Sequence, residues 1–189
     1  YIFDNKGNSS DYLKPSMYLP HVRYFCGTVE GHIQGLQRIM KKLDMRSKVI
    51  TREGSIRIKD YNRRNPTRKL PYTYILIDEM MTLSGTLEQM GKDELPTFKN
   101  ILSMMCSKYA NIGLRLILFP HRIVESVISK NTYSLISTRV VVGSLNESEL
   151  ERSLGVSKSK FPYVLTLEGD MGIQTREINK GKASYCHAE

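Results

Sequence analysis

Pro71-Tyr72-Thr73-Tyr74-Ile75-Leu76-Ile77-Asp78-Glu79 is the stretch whose reading decides the fold. Tyr74, Ile75, Leu76 and Ile77 run without polar alternation and stop at two adjacent carboxylates. An unbroken β-rich run of this kind suits a strand buried on both faces of a parallel sheet. Ligands of such sheets bind beyond the carboxyl ends of the strands. Asp78 and Glu79 therefore fall where chemistry takes place. The alternative is a core strand that ends in a solvated acidic loop.

Outward from this strand, helices and further strands alternate. Upstream, Tyr1-Ile2-Phe3 reads as a short strand entering a turn at Asp4-Asn5-Lys6-Gly7, and residues 22–26 read as a second short strand. Thr28 fits an N-cap. Ile33, Leu36, Ile39, Met40 and Leu43 then form one apolar stripe, predicting a helix over 29–48. Residues 51–70 are strongly basic, with Arg52, Arg57, Lys59, Arg63, Arg64, Arg68 and Lys69 against Glu53 and Asp60. They read either as a solvated connection or as a phosphate-contacting surface.

Downstream, residues 80–89 read as a loop or short helix. Phe98, Ile101, Leu102, Met105 and Tyr109 mark a helix over 96–111, stopped at Gly113. Residues 114–119 form the next buried strand and end in Pro120-His121-Arg122. A short helix is expected over 123–131, a strand over 138–142, and a helix capped by Asn146 or Ser148 and ended by Gly155. Residues 163–167 and 173–178 read as a hairpin around Glu168-Gly169-Asp170-Met171-Gly172, and the tail from Asn179 as loose. The whole is an α/β domain with a mainly parallel sheet.

The 189 residues suffice for one domain with a core. The net charge of +9 favours an anionic partner, nucleic acid or acidic lipid. Cys26, Cys106 and Cys186 are odd in number and far apart. They read as reduced thiols rather than a disulfide framework or a zinc site. No apolar run is long enough to span a membrane. The chain begins at Tyr1, already in a strand-like run, which gives the expectation of a longer polypeptide.

Three strand ends carry notable residues: Asp78 and Glu79, His121 and Arg122, and the segment around Arg139. A nucleotide hydrolase needs a metal-holding acid and a water-activating acid. It also needs a polar sensor of the terminal phosphate and an arginine that offsets transition-state charge. Strand 74–79 suits the Walker B role. Asp78 would hold Mg²⁺ through water, and Glu79 would polarise the attacking water. His121 would sense phosphate, or is a packed histidine at the sheet edge. Arg122 or Arg139 would supply the positive charge, or makes a salt bridge at a strand end.

In order along the chain, YIFDNKG, YILIDEMMTL, NIGLRLILFPHR, ISTRVVVGSLNESELERSLG and LEGDM resemble successive segments of the motor domain of FtsK/SpoIIIE DNA translocases. The resemblance implies a RecA-like P-loop NTPase fold with a mainly parallel sheet flanked by helices and a C-terminal β-hairpin. It implies ATP and Mg²⁺ as cofactors, double-stranded DNA as partner, and a hexameric ring in which an arginine completes the neighbouring site. Arg139, which matches the family's Thr-Arg pair, is favoured over Arg122. The family's sensor glutamine falls on His121, and the proline after its arginine on Ile123.

No GxxxxGK[ST] occurs in the sequence: Gly91-Lys92 is followed by Asp93, and Gly181-Lys182 by Ala183. In the family that loop precedes the segment matching residues 1–7. The resemblance therefore implies that residues 1–189 are the C-terminal part of a motor domain, unable to hydrolyse ATP alone. The loop's strand is expected beside the Walker B and sensor strands, so its loss would leave a hole in the sheet. Absence of a terminal winged helix favours the conjugation coupling type, with the chain as the cytoplasmic motor part of a membrane-anchored protein. A non-catalytic module on the same fold and a type VII secretion ATPase that moves protein are the alternatives.

Overall fold

A computed structural model describes residues 1–5, 12, 17–22, 25–120, 127–142, 146–155, 171–174 and 184–186. The chain divides into two compact units, Tyr1–Thr132 and Tyr133–Glu189.

The first unit is built on a four-stranded parallel sheet in the order β2-β1-β3-β4. Its strands are β1 (Ile2–Phe3), β2 (Phe25–Cys26), β3 (Thr73–Asp78) and β4 (Leu114–Phe119). β3 and β4 pair over their full length, from Thr73 with Leu114 to Asp78 with Phe119. On its other side β3 meets β1, Ile2 opposite Leu76 and Phe3 opposite Ile77. The expected hole beside the Walker B strand is absent, because both its neighbours lie within the chain.

Burial on both faces of β3 was also expected, and the structure corrects this. Thr73, Ile75 and Ile77 are buried while Tyr74 is 53% exposed, and on β4 Phe119 is 44% exposed. An aromatic or aliphatic side chain keeps its β-propensity on a half-open face. An apolar run therefore does not report how many faces are covered.

Helix α1 (Val29–Arg52) supplies Leu36, Ile39 and Leu43 to the core at three- and four-residue spacing, and reaches Phe3 through His32. Each such buried aliphatic contributes about 1.5–3 kcal/mol of transfer free energy. α1 runs one turn past the expected end. Helix α3 (Met80–Met90) settles the loop-or-helix choice for 80–89, burying Met80, Leu83, Ser84 and Leu87 as one stripe. Helix α4 (Glu94–Lys108) buries Phe98, Ile101, Leu102 and Met105, as the sequence spacing indicates. Burial pushes the Cys106 thiol on α4 up to about 11, which keeps it protonated and unreactive.

The basic stretch 51–70 is not simply a solvated connection. It contains helix α2 (Ile58–Arg64), anchored by buried Ile58 and Tyr61. The Ile58 N–H donates to the Asn111 carbonyl at 2.9 Å. Asn62 closes the far side, accepting from the Leu70 N–H at 2.8 Å and donating to the Leu70 carbonyl at 2.9 Å. α2 thus packs on the turn that leads into β4. Gly113 in that turn has φ +94, and a Cβ there would lie 2.6 Å from Ile58 Cδ1. The glycine is required on both counts, although α4 ends earlier than expected, at Lys108.

The second unit holds a three-stranded antiparallel sheet, β5 (Arg139–Val142), β6 (Met171–Gln174) and β7 (Ser184–Cys186), in that order. Two expectations change here, and a third, the hairpin partner of β6, is not reached. Met171 and Gly172 lie in a strand rather than a turn. β6 pairs with β5 and β7, while 163–167 lies outside the described residues. Ser184–Cys186, placed in a loose tail, pairs with β6. Its Tyr-Cys core has the strand preference that the surrounding polar residues hide. Helix α5 (Lys130–Leu135) starts near the end of the expected 123–131 helix, where Ser129 Oγ accepts from the Thr132 N–H at 3.2 Å. Helix α6 (Glu147–Leu154) follows the sequence reading. Asn146 and Glu149 form a capping box, and Gly155 ends the helix at φ 67.

Candidate active site at the carboxyl edge of the parallel sheet

Parallel pairing brings the carboxyl ends of β1, β3 and β4 to one edge. Asp78 closes β3 and is 8% exposed. Its Oδ1 accepts from the Glu79 N–H at 2.9 Å, leaving Oδ2 as the oxygen not engaged by that bond. Glu79 is half-buried and adopts φ 52, ψ 51. Among the described residues it is the one non-glycine with positive φ. A left-handed conformation costs an ordinary residue about 1–2 kcal/mol. Residues held so against local preference concentrate at functional sites. The kink turns the chain from β3 directly into α3, whose N-cap is Glu79.

β1 delivers a second pair. Since Phe3 is opposite Ile77, Asp4 follows Phe3 as Asp78 follows Ile77. Asp4 is fully buried. Asn5 Nδ2 donates to the Asp78 carbonyl at 2.6 Å, tying the two strand exits together. Beneath them, His32 on α1 is fully buried, its ring 5.3 Å from that of Phe3. Burial holds its pKa below the ordinary value. The Thr28 and Val29 backbone carbonyls and the Asp4 and Glu30 carboxylates push the other way.

Asp4, Asn5 and His32 are the members that sequence reasoning missed. Asp4 and Asn5 were read as turn formers and as part of the YIFDNKG segment, without a site role. The usable signal was that a second short strand also ends in an acid, so that in a parallel sheet the two acids fall level. His32 carried no such signal, being one more residue on an amphipathic helix.

Of the sequence-derived site residues, the structure brings Asp78 and Glu79 to the edge. His121 and Arg122 lie outside the described residues, just beyond the end of β4 at Phe119. Arg139 belongs to the second unit. There its Nη1 donates to the Leu154 carbonyl at 2.7 Å and its Nη2 to the Tyr133 carbonyl at 2.9 Å. Its guanidinium lies 4.0 Å over the Tyr133 ring. The Tyr133 hydroxyl in turn donates to the Arg152 and Ser153 carbonyls. Together Tyr133 and Arg139 satisfy carbonyls that the end of α6 leaves open.

No group of three or more His, Cys, Asp or Glu side chains capable of holding a metal occurs among the described residues. Mg²⁺ keeps most of its waters and takes one or two carboxylates together with substrate phosphates. A strand-end Asp78 level with the acid that ends β1 fits this donor set. Among the described residues no helix is long and apolar enough to cross a membrane.

A parallel sheet whose central strand exits in two acids sets them at its ligand edge. Solved structures specify the kind: the chain has the fold of FtsK/SpoIIIE-like motors. It is similar to the pCW3 conjugation coupling protein TcpA, solved in monomer form with ATPgS. The TM-score is 0.76 at 17% identity, over 100% of this chain and 51% of that one. It is similar to EssC (ATPases 2 and 3) from Geobacillus thermodenitrificans, with TM-score 0.69 at 21% identity over 98% of this chain and 32% of that one. It is also similar to the cytoplasmic domain of the type VII secretion ATPase EccC of Thermomonospora curvata, with TM-score 0.66 at 18% identity over 92% and 20%. The chain thus spans about half the length of the TcpA chain it matches. No family model matches the sequence, and no curated protein matches it.

Proposed function

We propose that this chain carries the Walker B half of an ATP-hydrolysing motor that drives double-stranded DNA, of the conjugation coupling type. The observation that carries the reading is the strand exit itself: Asp78 ends β3, and Glu79 is held in a left-handed kink beside the ends of β1 and β4. Asp78 would hold a hydrated Mg²⁺, which offsets charge on the nucleotide phosphates. Glu79 accepts a hydrogen bond from the attacking water and orients it in line. The kink sets the direction in which the Glu79 side chain leaves the backbone, at the strand exit where nucleotide would bind. The phosphate-binding loop, the ring and the membrane anchor belong to the rest of the motor. Arg122 or Arg139 would act across a subunit boundary, and His121 would sense phosphate.

The likeness to TcpA, over the whole of this chain, supports the DNA reading over protein transport; EssC and EccC support the latter. The test is nucleotide hydrolysis by the full-length polypeptide, with and without duplex DNA. Glu79→Gln is expected to abolish turnover while leaving nucleotide binding intact. Turnover that survives Glu79→Gln overturns the assignment. Turnover indifferent to duplex DNA transfers the motor to the protein-moving class.

A further inference from the structure

At the opposite end of the sheet, residues 57–69 carry Arg57, Lys59, Arg63, Arg64, Arg68 and Lys69 against one acid, Asp60. All six cations are exposed. The backbone that displays them is built in, through Ile58 and Tyr61 in the core and through the paired Asn62–Leu70 bonds.

Local helix physics accounts for only part of this charge. Arg63 and Arg64 lie in the last turn of α2, where the helix dipole favours cations. Arg63 also pairs with Asp60 at 3.3 Å, and Arg64 donates to the Gly54 carbonyl at 3.0 Å. Arg68 donates to Asn65 Oδ1 at 3.4 Å. Arg57 and Lys59 are placed the wrong way round. Arg57 occupies the N-cap, where a side-chain acceptor is preferred, and makes no capping bond. Lys59 sits in the first turn, where the dipole disfavours it. The side chains of Arg57, Lys59 and Lys69 make neither hydrogen bond nor ion pair among the described residues. These exposed cations remain available to an anionic partner.

We infer that this α2 knob grips the phosphate backbone of duplex nucleic acid. The inference rests on the DNA-motor reading only for its choice of polyanion. Duplex DNA carries one charge per 3.4 Å of axis on each strand, and α2 is roughly 10 Å long. About three phosphates therefore face the knob. Four of the six cations are arginines, whose planar fork suits phosphate oxygens. The contact reads no bases and is sequence-independent.

The test uses the full-length protein without nucleotide and a labelled random-sequence duplex, with affinity measured across a salt series. Arg57→Gln/Lys59→Gln/Lys69→Gln alters exposed, unbonded side chains and leaves the fold in place. It is expected to weaken binding about 10- to 100-fold at low salt and to reduce the slope of log affinity against log salt by about 2.7. Arg38→Gln/Lys41→Gln/Lys48→Gln on α1 removes equal charge elsewhere and should do much less. Equal losses in the two triple variants, or an unchanged slope in the knob variant, overturn the inference. So does lost binding to phosphatidylserine vesicles with duplex binding retained, which makes the knob a lipid contact. Glu79→Gln run alongside separates the readings: lost hydrolysis with intact duplex binding leaves the knob assignment to stand or fall on its own.

Discussion

Asn5 holds Asp78 by its backbone: the Asn5 Nδ2–H donates to the Asp78 carbonyl at 2.6 Å. The bond joins residues 73 positions apart and locks the exits of two neighbouring parallel strands. β1 is only two residues long, so its own ladder offers little to keep those exits aligned. The side chain of Asn5 supplies what the short ladder lacks.

Asn5→Ala should therefore cost stability and alignment together. Loss of one partly buried hydrogen bond amounts to about 1 kcal/mol, with more if the Asp78 carbonyl is left without a partner. Denaturant unfolding measures the first effect. Asn5→Asp should be worse, since a carboxylate placed against a carbonyl oxygen repels instead of donating. Equal stability for wild type and Asn5→Ala would show that the ladder suffices.

Glu79 allows strain and chemistry to be separated. Glu79→Gly relieves the left-handed residue and should raise stability by about 1 kcal/mol, less whatever chain entropy glycine adds to the unfolded state. Glu79→Gln keeps the kink and should leave stability nearly unchanged. Both should lose the ATP hydrolysis proposed for the full-length polypeptide. If Glu79→Gly is no more stable than Glu79→Gln, the kink carries no strain.

Asp78 and Glu79 were legible in the sequence because an apolar run that stops abruptly at two acids marks a strand exit at the ligand edge of an α/β sheet. The helix over Glu94–Lys108 was legible from a stripe at helical spacing, and the cap of α6 was narrowed to Asn146 or Ser148, of which the structure uses Asn146. α2 was hidden because its burial rests on two residues, Ile58 and Tyr61, among many charges. The level placement of Asp4 and Asp78 was hidden for a different reason. It follows from strand register, and register is a property of pairing that neither strand carries alone.

Arg139 should reveal a structural role whatever else it does. Its bond to the Leu154 carbonyl closes the end of α6, while its bond to the Tyr133 carbonyl and its place over the Tyr133 ring tie that end to α5. Hydrogen bonds from charged groups are worth about 1.5–3 kcal/mol each. Arg139→Lys keeps the charge but cannot reproduce the fork. It should lower the second unit's stability by about 1–3 kcal/mol, read as faster amide exchange over Glu147–Leu154. Gly155→Ala should act in the same direction, since φ is +67 and its Cβ would lie 2.7 Å from Arg139 Nη1. Unchanged exchange in Arg139→Lys would show that these bonds do not hold the end of α6.

His32 should make the first unit sensitive to mild acid. Burial disfavours the imidazolium and wins over the nearby carbonyls and carboxylates, so the folded pKa lies below 6.5. As pH falls through 6.5, the unfolded chain takes up a proton that the folded chain resists, and unfolding gains. The full stability is present above that value and is lost progressively below it. Each unit of depression is worth about 1.4 kcal/mol once the pH is below both pKa values. Thermal midpoints at about pH 7.5 and pH 5.5 should therefore differ more for wild type than for His32→Leu, which has no proton to take up. Groups remote from His32 shift both proteins alike, so the difference between them reports the imidazole together with the Asp4 and Glu30 carboxylates that face it. If the two proteins lose stability in parallel over this window, the proton on His32 is not what couples the fold to pH.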